Sequence, residues 1–435
     1  MSGKTGINRR KFLAKVAGTA AGAAAFSYFV PSSALGKAGT VAPSNRIVMG
    51  AIGVGSKGTR NMLTFTSRAD VQMVAVCDVD AGHRDNAANR INANYGNRDC
   101  AAYNDFRQLI ARNDIDAVSI GTPDHWHAIP AVAAARAKKD IFAEKPLAYT
   151  ISEGRAICDA VNQYRVVWQT GSQQRSDRRF RFACELVRNG RIGRVHTVRV
   201  GLPAGGSDRK GKASEPVPVP QGFDYDMWLG PAPWAAYCPD RCHGNFRWVT
   251  DYSGGQITDW AGHHCDIALW GTGTELRGPV QIEGKGKAPD EGLWNTVYEY
   301  GFVCRFAEGF TMIVADNRQH RQGVLFEGTD GWVYVRRGEI DANPQSLLES
   351  DIGPREIHLY ESTNHKGNFI DCVRTRRPTV APVEPAHRAI SIGHLGLIAM
   401  KLERKLNWDP AKERFVNDPQ ADRLLARPMR SPWCL

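Results

Sequence analysis

Short apolar runs alternate with longer amphipathic or alanine-rich segments over the first 170 residues. The apolar runs predict five strands, at 46–52, 71–76, 117–120, 140–143 and from 166. The intervening segments predict helices from 59, over 129–138 and after Ser152, which we expect to cap its helix. Such alternation predicts a doubly wound parallel sheet, whose ligands bind beyond the carboxyl ends of its strands.

The rest of the chain mixes strands and helices in a less regular order. A strand over 195–201 is predicted to open a second domain, and the polar, proline-rich stretch 205–221 follows it as a loop. Further strands are predicted over 297–306 and 310–315, and a helix with an apolar stripe over 387–405. The fold class is therefore α/β throughout.

A glycine-rich turn directly follows the first predicted strand. Its GxGxxG pattern consists of Gly53, Val54, Gly55, Ser56, Lys57 and Gly58. In such a turn the glycines allow a tight bend, close approach to a pyrophosphate and helix packing, while the helix N-terminus favours phosphate. Asp78 ends the next strand, where its carboxylate can accept hydrogen bonds from the ribose hydroxyls and repel a 2′-phosphate. Asp80 can share this role. We therefore predict a nucleotide site that favours NAD over NADP; the alternative is a glycine turn beside a solvated aspartate.

Lys145 and a distant histidine motif carry the candidate chemistry. Lys145 ends the fourth predicted strand, where it can bond a substrate hydroxyl or take part in proton transfer. If 254–266 is helical, Asp259 and His263 share a face, and the carboxylate can orient an imidazole that accepts a proton. The alternatives are a surface lysine, a buried structural histidine, and a metal site of Asp259, His263 and Asp266. We predict no metal.

Together these motifs resemble the glucose–fructose oxidoreductase, inositol dehydrogenase and MocA (Gfo/Idh/MocA) family over nearly the whole mature chain. The shared marks are the glycine turn, Asp78, Thr122-Pro123 with His127, Glu144-Lys145-Pro146, and Asp259 ahead of Gly262-His263. The resemblance implies a Rossmann domain followed by an α/β domain with a large, mostly antiparallel sheet that often supports oligomers. It also implies NAD as cofactor and a ring hydroxyl of a sugar, glycoside or cyclitol as the reacting group.

Carried over position by position, the resemblance makes Lys145 and His263 the catalytic pair. Asp259 would orient His263 or bind a substrate hydroxyl. The implied cofactor site comprises Gly53, Val54, Gly55, Ser56, Lys57, Gly58, Asp78, Thr122, His127, Glu144 and Lys145. Of these, Thr122, His127 and Glu144 would line the nicotinamide side. We also expect residues 173–175 to border the cofactor or the substrate.

The N-terminus indicates where this chemistry takes place. A twin-arginine pattern at 8–13, a weakly apolar stretch at 16–30 and the small residues 32–34 are typical of a bacterial Tat export signal. An uncleaved anchor is the alternative. The formal net charge is +11, but five basic residues and no acidic residue lie within 1–34. The mature chain is thus mildly basic, and nucleic-acid binding is not expected.

The predicted organisation has five parts. They are a Tat signal peptide at 1–34, a linker at 35–45, a Rossmann domain at 46–170, a substrate domain at 171–407 and a polar tail at 408–435. No apolar run of the mature chain is long enough for stable membrane insertion. An oxidising periplasm permits disulfides, and Cys238 and Cys242 are the closest of ten cysteines, although spacing alone establishes no bridge.

We expect an exported, NAD-dependent carbohydrate oxidoreductase that forms homo-oligomers through its C-terminal sheet. Because a periplasm offers little free NAD, the cofactor is expected to stay tightly bound through each redox cycle. One alternative is an NAD-dependent glycoside hydrolase that works through transient oxidation. Another is a non-catalytic sugar- or nucleotide-binding protein, which would be expected to lack Lys145 or His263, and both are present.

Overall fold

A computed structural model describes residues 41–42, 45–207 and 215–435. The expected signal peptide at 1–34 and most of the linker at 35–45 lie outside the described residues, so the export signal stays a prediction. Within the described ranges, no helix combines the length and the apolar character needed to cross a membrane.

Six parallel strands form the first sheet, in the order β3-β2-β1-β4-β5-β6. They are β1 (Ile47–Ile52), β2 (Val71–Cys77), β3 (Ala101–Tyr103), β4 (Ala117–Ile120), β5 (Asp140–Ala143) and β6 (Trp168–Thr170). Every residue of β4 and β5 is buried, as parallel strands with helices on both faces require. The strand order reverses between β1 and β4, where a ligand crevice is expected. The Rossmann prediction is confirmed.

Helices follow the strands of this sheet. They are α1 (Ser56–Thr66), α2 (Ala81–Tyr95), α3 (Phe106–Ile110), α4 (Ala128–Arg136), α5 (Ile151–Tyr164) and α6 (Arg178–Arg188). The prediction that Ser152 caps α5 was wrong, because Thr150 accepts the Glu153 N–H at 3.2 Å instead. The sequence pattern also missed β3, whose three residues at the sheet edge are too few to form an apolar run.

Nine strands form the second sheet, in the order β13-β12-β11-β7-β10-β9-β8-β14-β15. They are β7 (Val195–Leu202), β8 (Pro279–Lys287), β9 (Glu299–Phe306), β10 (Thr311–Asp316), β11 (Gly323–Gly328), β12 (Trp332–Arg336), β13 (Glu339–Asn343), β14 (Leu406–Asp409) and β15 (Arg414–Phe415). Among the described strand pairs of this sheet, β7–β10 is the parallel one. The predicted large, mostly antiparallel sheet is therefore confirmed.

One long helix brings the second half of the chain to the first. The remaining helices are α7 (Tyr225–Leu229), α8 (Gly255–Thr272), α9 (His365–Thr375), α10 (Val383–Leu402) and α11 (Pro419–Asp422). Most residues of α8 are buried, because it packs between α6, α10 and the sheet strand β7. Polar side chains on α8 are consequently shielded from water, which strengthens their electrostatic interactions.

The polar stretch 408–435, predicted as a tail, folds back onto the protein. The rings of Trp433 and Trp126 lie 4.7 Å apart between centroids. Arg427 donates from Nε to Glu153 Oε1 at 2.7 Å and from Nη2 to the His125 carbonyl at 2.8 Å. The C-terminal residues therefore pack against the turn Asp124–Trp126 that follows β4.

The cysteines form no disulfide in the described structure, which includes all ten of them. Cys238 and Cys242, the pair closest in sequence, are both buried free thiols.

Candidate functional site

A cavity of about 580 Å³ opens at the carboxyl ends of the first sheet. Most of the predicted cofactor residues line it, namely Gly53, Gly55, Ser56, Lys57, Asp78, Thr122, His127, Glu144 and Lys145. Asp259 reaches the same cavity from the second half of the chain. Val54 and Gly58 do not line it, because Val54 is buried and Gly58 packs against the turn.

The glycine turn has the shape that a pyrophosphate needs. Gly53 has a φ of +76°, which favours glycine, and a Cβ on Gly58 would lie 1.8 Å from the Gly53 carbonyl oxygen. A Cβ on Gly55 would meet nothing nearer than the His83 ring, 3.9 Å away. The backbone at Gly55 is thus open to the cavity at the start of α1, so the turn fits a dinucleotide.

Asp78 is the acceptor at the ribose end of the cavity. Its Oδ2 accepts the Val54 N–H at 2.8 Å, and its Oδ1 accepts the Asp80 N–H at 3.0 Å. Burial raises the pKa of Asp78, although these backbone donors and His83 act in the opposite direction. Since each carboxylate oxygen has two lone pairs, both can still accept a ribose hydroxyl.

Two side-chain oxygen atoms on the nicotinamide side lack a hydrogen-bond partner among the described residues. Glu144 Oε1 accepts from Asn61 Nδ2 at 2.7 Å and lies 3.3 Å from Lys57 Nζ. Glu144 Oε2 and Thr122 Oγ1, by contrast, are buried without a hydrogen-bond partner among the described residues. Buried polar atoms are rarely left unpaired, so these two suit a ligand that completes them.

His127 ties two strand ends together. Its Nδ1 lies 2.5 Å from the Pro146 carbonyl oxygen, and its Nε2 lies 2.9 Å from the Thr122 carbonyl oxygen. The ring therefore joins the segments that follow β4 and β5, the two strands that carry Thr122 and Lys145 into the cavity. This contact gives His127 a positioning role beside its place in the cavity wall.

Lys145 and Asp259 pair directly across the cavity. Lys145 Nζ donates to Asp259 Oδ1 at 2.6 Å and to the Asp259 carbonyl at 3.1 Å. Burial alone raises the pKa of Asp259, but the positive charges of Lys145 and Arg247 outweigh it, and the pKa lies below its usual value. The carboxylate thus stays charged and holds the ammonium group at a fixed place in the wall.

His263 lies one turn along α8 from Asp259, as the spacing predicts. Its ring packs edge-on to Trp260 at 5.6 Å, and its Nδ1 is buried without a partner among the described residues. Burial, followed by the positive charges of Lys145 and Arg337, holds the pKa of His263 well below 6.5. The ring is therefore neutral near pH 7 and able to accept a proton, although it is not among the residues that line the cavity.

Residues 173–175, expected to border the ligands, are not among the residues that line the cavity. Arg175 is buried and binds both carboxylate oxygens of Asp266, at 2.7 and 2.8 Å. This bidentate pair occupies Asp266, so its carboxylate is not free to join Asp259 and His263 in the alternative metal site. His264 is also occupied, since its Nδ1 donates to the Gly201 carbonyl at 3.0 Å.

One wall of the cavity comes from a segment for whose aromatic residues, at 226–231 and 246–248, the sequence leaves open both contact with a sugar ring and core packing. Residues 222–248, called the covering segment below, contribute Phe223, Met227, Trp228, His243, Gly244, Phe246 and Arg247. The segment pairs with the residues between β2 and α2, because the Ala81 N–H donates to the Gly222 carbonyl and the Asp224 N–H donates to the Val79 carbonyl, both at 2.9 Å. Its aromatic content was visible in the sequence, but its place was not, since these pairings span more than 130 residues.

Replacing Gly55 by alanine is expected to weaken NAD binding by about tenfold or more without changing the melting temperature. The added methyl group meets open cavity rather than protein, so it costs the fold little but blocks the approach of the pyrophosphate. Calorimetric titration with NAD and thermal unfolding of the same samples test this. Gly58→Ala is the matched control, because its Cβ strikes the Gly53 carbonyl and must lower the melting temperature as well. Unaltered NAD affinity in Gly55→Ala would show that the phosphates lie elsewhere.

Both halves of the chain match known families of domains. Residues 47–172 match the family described as "Oxidoreductase family, NAD-binding Rossmann fold". Residues 185–435 match "Oxidoreductase family, C-terminal alpha/beta domain" of the same Gfo/Idh/MocA group. The second match alone covers more than half of the chain.

Individual relatives point to carbohydrate chemistry in two forms. Myo-inositol 2-dehydrogenase of Thermotoga maritima is 23% identical over 377 residues, 83% of this chain and 98% of that protein. The alpha-N-acetylgalactosaminidase of Shewanella oneidensis is 34% identical over 141 residues, 31% of this chain and 30% of that protein. The solved structure of levoglucosan dehydrogenase with NADH and L-sorbose shares the fold, with a TM-score of 0.61 and 20% identity over 83% of this chain and 99% of its own.

Proposed function

Because this chain belongs to the Gfo/Idh/MocA family of NAD-binding oxidoreductases, we propose that it oxidises or reduces a ring hydroxyl of a sugar, glycoside or cyclitol. The observation that carries the proposal is the Lys145–Asp259 pair, which meets the glycine turn in one cavity. The dehydrogenases for inositol and levoglucosan among its relatives support this class of substrate.

The proposed roles follow from charge and proton state. NAD, when bound, accepts or returns a hydride at the reacting carbon. The neutral His263 takes the proton of the substrate hydroxyl, since the pKa of its buried ring is too low for the ring to be charged already. Lys145 donates a hydrogen bond to the same hydroxyl oxygen and stabilises its developing negative charge. Asp259 orients Lys145, and the turn of the helix places His263 beside them.

A second candidate is net hydrolysis of a glycoside. Here the sugar is oxidised, loses its aglycone by elimination, adds water across the double bond that elimination leaves, and is reduced again, so the cofactor returns to its first state. The resemblance to an alpha-N-acetylgalactosaminidase over 141 residues favours this candidate. Lys145 and its Asp259 partner, by contrast, favour simple dehydrogenation. Both candidates use NAD, and they differ in the product that is released.

We also propose that the protein works in the periplasm and keeps NAD bound between turnovers. The twin-arginine pattern at 8–13 supports export of a folded protein. The covering segment supports retention, because it hydrogen-bonds to the residues that follow Asp78 and adds aromatic side chains over the cavity. A dinucleotide enclosed in this way can be loaded before export and recycled afterwards.

The second sheet is the proposed surface for homo-oligomers. Val303 on β9, Ile313 on β10 and Leu325 on β11 are half-buried. Ile313 pairs with Val303 on one side and with Arg199 of β7 on the other, and Arg199 pairs with Leu325, so these residues form one row across the sheet. Their side chains lie on the face opposite the fully buried positions of these strands. Light scattering on the purified protein is expected to give a multiple of the 48.0 kDa chain, less any cleaved signal peptide; a monomer would contradict this proposal.

The expected outcome of cell fractionation is a periplasmic protein that releases NAD when it is denatured. Bound nucleotide should equal about one per chain, because the cavity forms one dinucleotide site. Incubation with 4-nitrophenyl glycosides or myo-inositol, without added NAD, then separates the candidates: a keto sugar marks dehydrogenation, and free nitrophenol marks net hydrolysis. A protein that releases no nucleotide and also fails to bind added NAD would refute the redox proposal. Recovery only from the cytoplasm would refute export.

A further inference from the structure

Three potential metal ligands meet at the ribose end of the cavity, away from Lys145 and His263. They are Asp80 and His83, at the start of α2, and His243 of the covering segment. One ligand atom from each lies within 4.8 Å of the others. Among the described residues, no other group of histidine, cysteine and acidic side chains satisfies this condition. The cluster therefore differs in place and composition from the catalytic group.

The three side chains are arranged so that their ligand atoms remain available. Asp80 uses Oδ1 to cap α2 by accepting the His83 N–H at 3.1 Å, which leaves Oδ2 directed at His243 Nε2, 3.8 Å away. The two imidazole rings pack edge-to-face with centroids 5.0 Å apart. Neither ring forms a hydrogen bond within the described part of the chain. Their side chains are 39% and 46% exposed, so an ion can reach them from solvent.

The local charge suits a divalent cation. Asp78 adds a second carboxylate, with Oδ1 3.9 Å from His83 Nδ1. An ion at this place would face two carboxylates and two imidazole rings, which are the side chains that bind zinc most often besides cysteine. Arg84 of the same helix already donates to the Asp78 carbonyl and the Asn104 side chain, and Arg247, in the same cavity wall, donates to the Gly244 carbonyl.

We propose that Asp80, His83 and His243 bind one divalent transition-metal ion of the zinc type, with water completing its coordination. Two imidazoles and a carboxylate are a donor set that zinc accepts, at about 2.0–2.2 Å from each ligand atom. Ligand atoms of a tetrahedral ion lie closer together than 4.8 Å, so binding draws the three side chains inward.

The proposed ion joins two parts of the chain across the cavity rim. Asp80 caps the Rossmann helix α2 and His83 lies in its first turn, whereas His243 lies 160 residues later, on the covering segment. All three line the cavity together with the ribose acceptor Asp78. The bound metal thus adds a cross-link to the backbone pairing at Gly222 and Asp224, and it slows the exit of NAD on this side.

Metal titration of the mature protein, made without a polyhistidine tag, tests the site directly. Co²⁺ followed by its visible absorption and Zn²⁺ followed by calorimetry should each show one ion per chain. His83→Ala and His243→Ala should each weaken binding by at least about tenfold. Asp80→Asn is a further variant, because its side-chain oxygen still caps α2 while the charge is lost. His196→Ala, which removes an exposed histidine outside the cavity, is the matched control and should bind normally.

The absence of one-to-one binding, or equal affinity in His243→Ala and the parent protein, would overturn the site. The cross-link is tested by the rate at which bound NAD exchanges, with Zn²⁺ and with EDTA. Zinc should slow exchange several-fold in the parent protein and have no effect in His243→Ala; an equal rate with zinc and EDTA would overturn the cross-link. Neither measurement uses turnover, so a negative result leaves the proposed reaction untouched.

Discussion

Replacing His263 by asparagine is expected to lower kcat by about 10²–10⁴-fold while NAD stays bound, the usual range for loss of a general base. The buried neutral ring is the proton acceptor best placed on α8, and asparagine cannot take a proton. Lys145→Met should have a loss of similar size, because the substrate oxygen then lacks its charged donor and Asp259 loses its partner. Turnover of the substrate found by the glycoside assay, with NAD binding measured in parallel, checks both variants.

His264→Asn is the matched control for His263→Asn. The neighbouring ring is equally buried, but it donates to the Gly201 carbonyl, and an asparagine amide can replace that donor. Its kcat should stay near that of the parent protein. Normal turnover in His263→Asn, or an equal loss in both variants, would contradict the assignment of His263 as the base.

The pH profile gives an independent test of the same residue. Burial, with the charges of Lys145 and Arg337, lowers the pKa of His263 below 6.5, so the ring is neutral above this value. Activity governed by the neutral ring should therefore persist below pH 6.5 and fall only as the pH drops through the lowered pKa. Removal of one of the charges in Arg337→Gln should move this acid limb toward higher pH.

Replacing Arg175 by methionine is expected to lower the free energy of unfolding by about 3–5 kcal/mol, the cost of leaving a buried charge without its partner. The Arg175 guanidinium is buried, binds Asp266 through two hydrogen bonds and also lies 2.8 Å from Glu275. It connects the segment after β6 to α8, the helix that carries Asp259 and His263. Chemical denaturation of both proteins measures the difference.

The double variant Arg175→Met/Asp266→Leu separates the buried charge from the shape of the side chains. Apolar pairs often replace buried ion pairs at little cost, so this protein should regain most of the lost stability. Glu275 is partly exposed and can be solvated, so its loss of a partner costs less. A double variant as unstable as the single one would mean that packing around Arg175, rather than charge, holds this region together.

Several features of the site could be predicted because they rest on neighbouring residues. The glycine turn follows from steric rules over six positions, and Gly53 and Gly58 occupy the places that those rules assign. The shared face of Asp259 and His263 follows from the helical repeat. Alternation of apolar runs likewise predicted the central strands of the Rossmann sheet, since burial on both faces demands continuous apolar residues.

Where local rules compete, the sequence predicted less well. Ser152 and Thr150 are both good helix caps, and only the observed start of α5 decides between them. Strand β3 depends on pairing with β2 at an edge rather than on its own three residues. Arg175 looked like a ligand contact because it follows a strand end, but the carboxylate that binds it lies 91 positions later.

Local sequence patterns were enough to identify the Rossmann domain, the nucleotide turn and the set of groups able to move a proton, because each depends on contacts within a few residues. The tertiary structure alone decided which of these groups meet. Lys145 and Asp259 are 114 positions apart in the sequence. The covering segment and the residues after β2 to which it hydrogen-bonds are more than 130 positions apart. The meeting of Lys145 and Asp259 depends on the packing of α8 against α6, α10 and β7, a property of the buried core that no local pattern specifies.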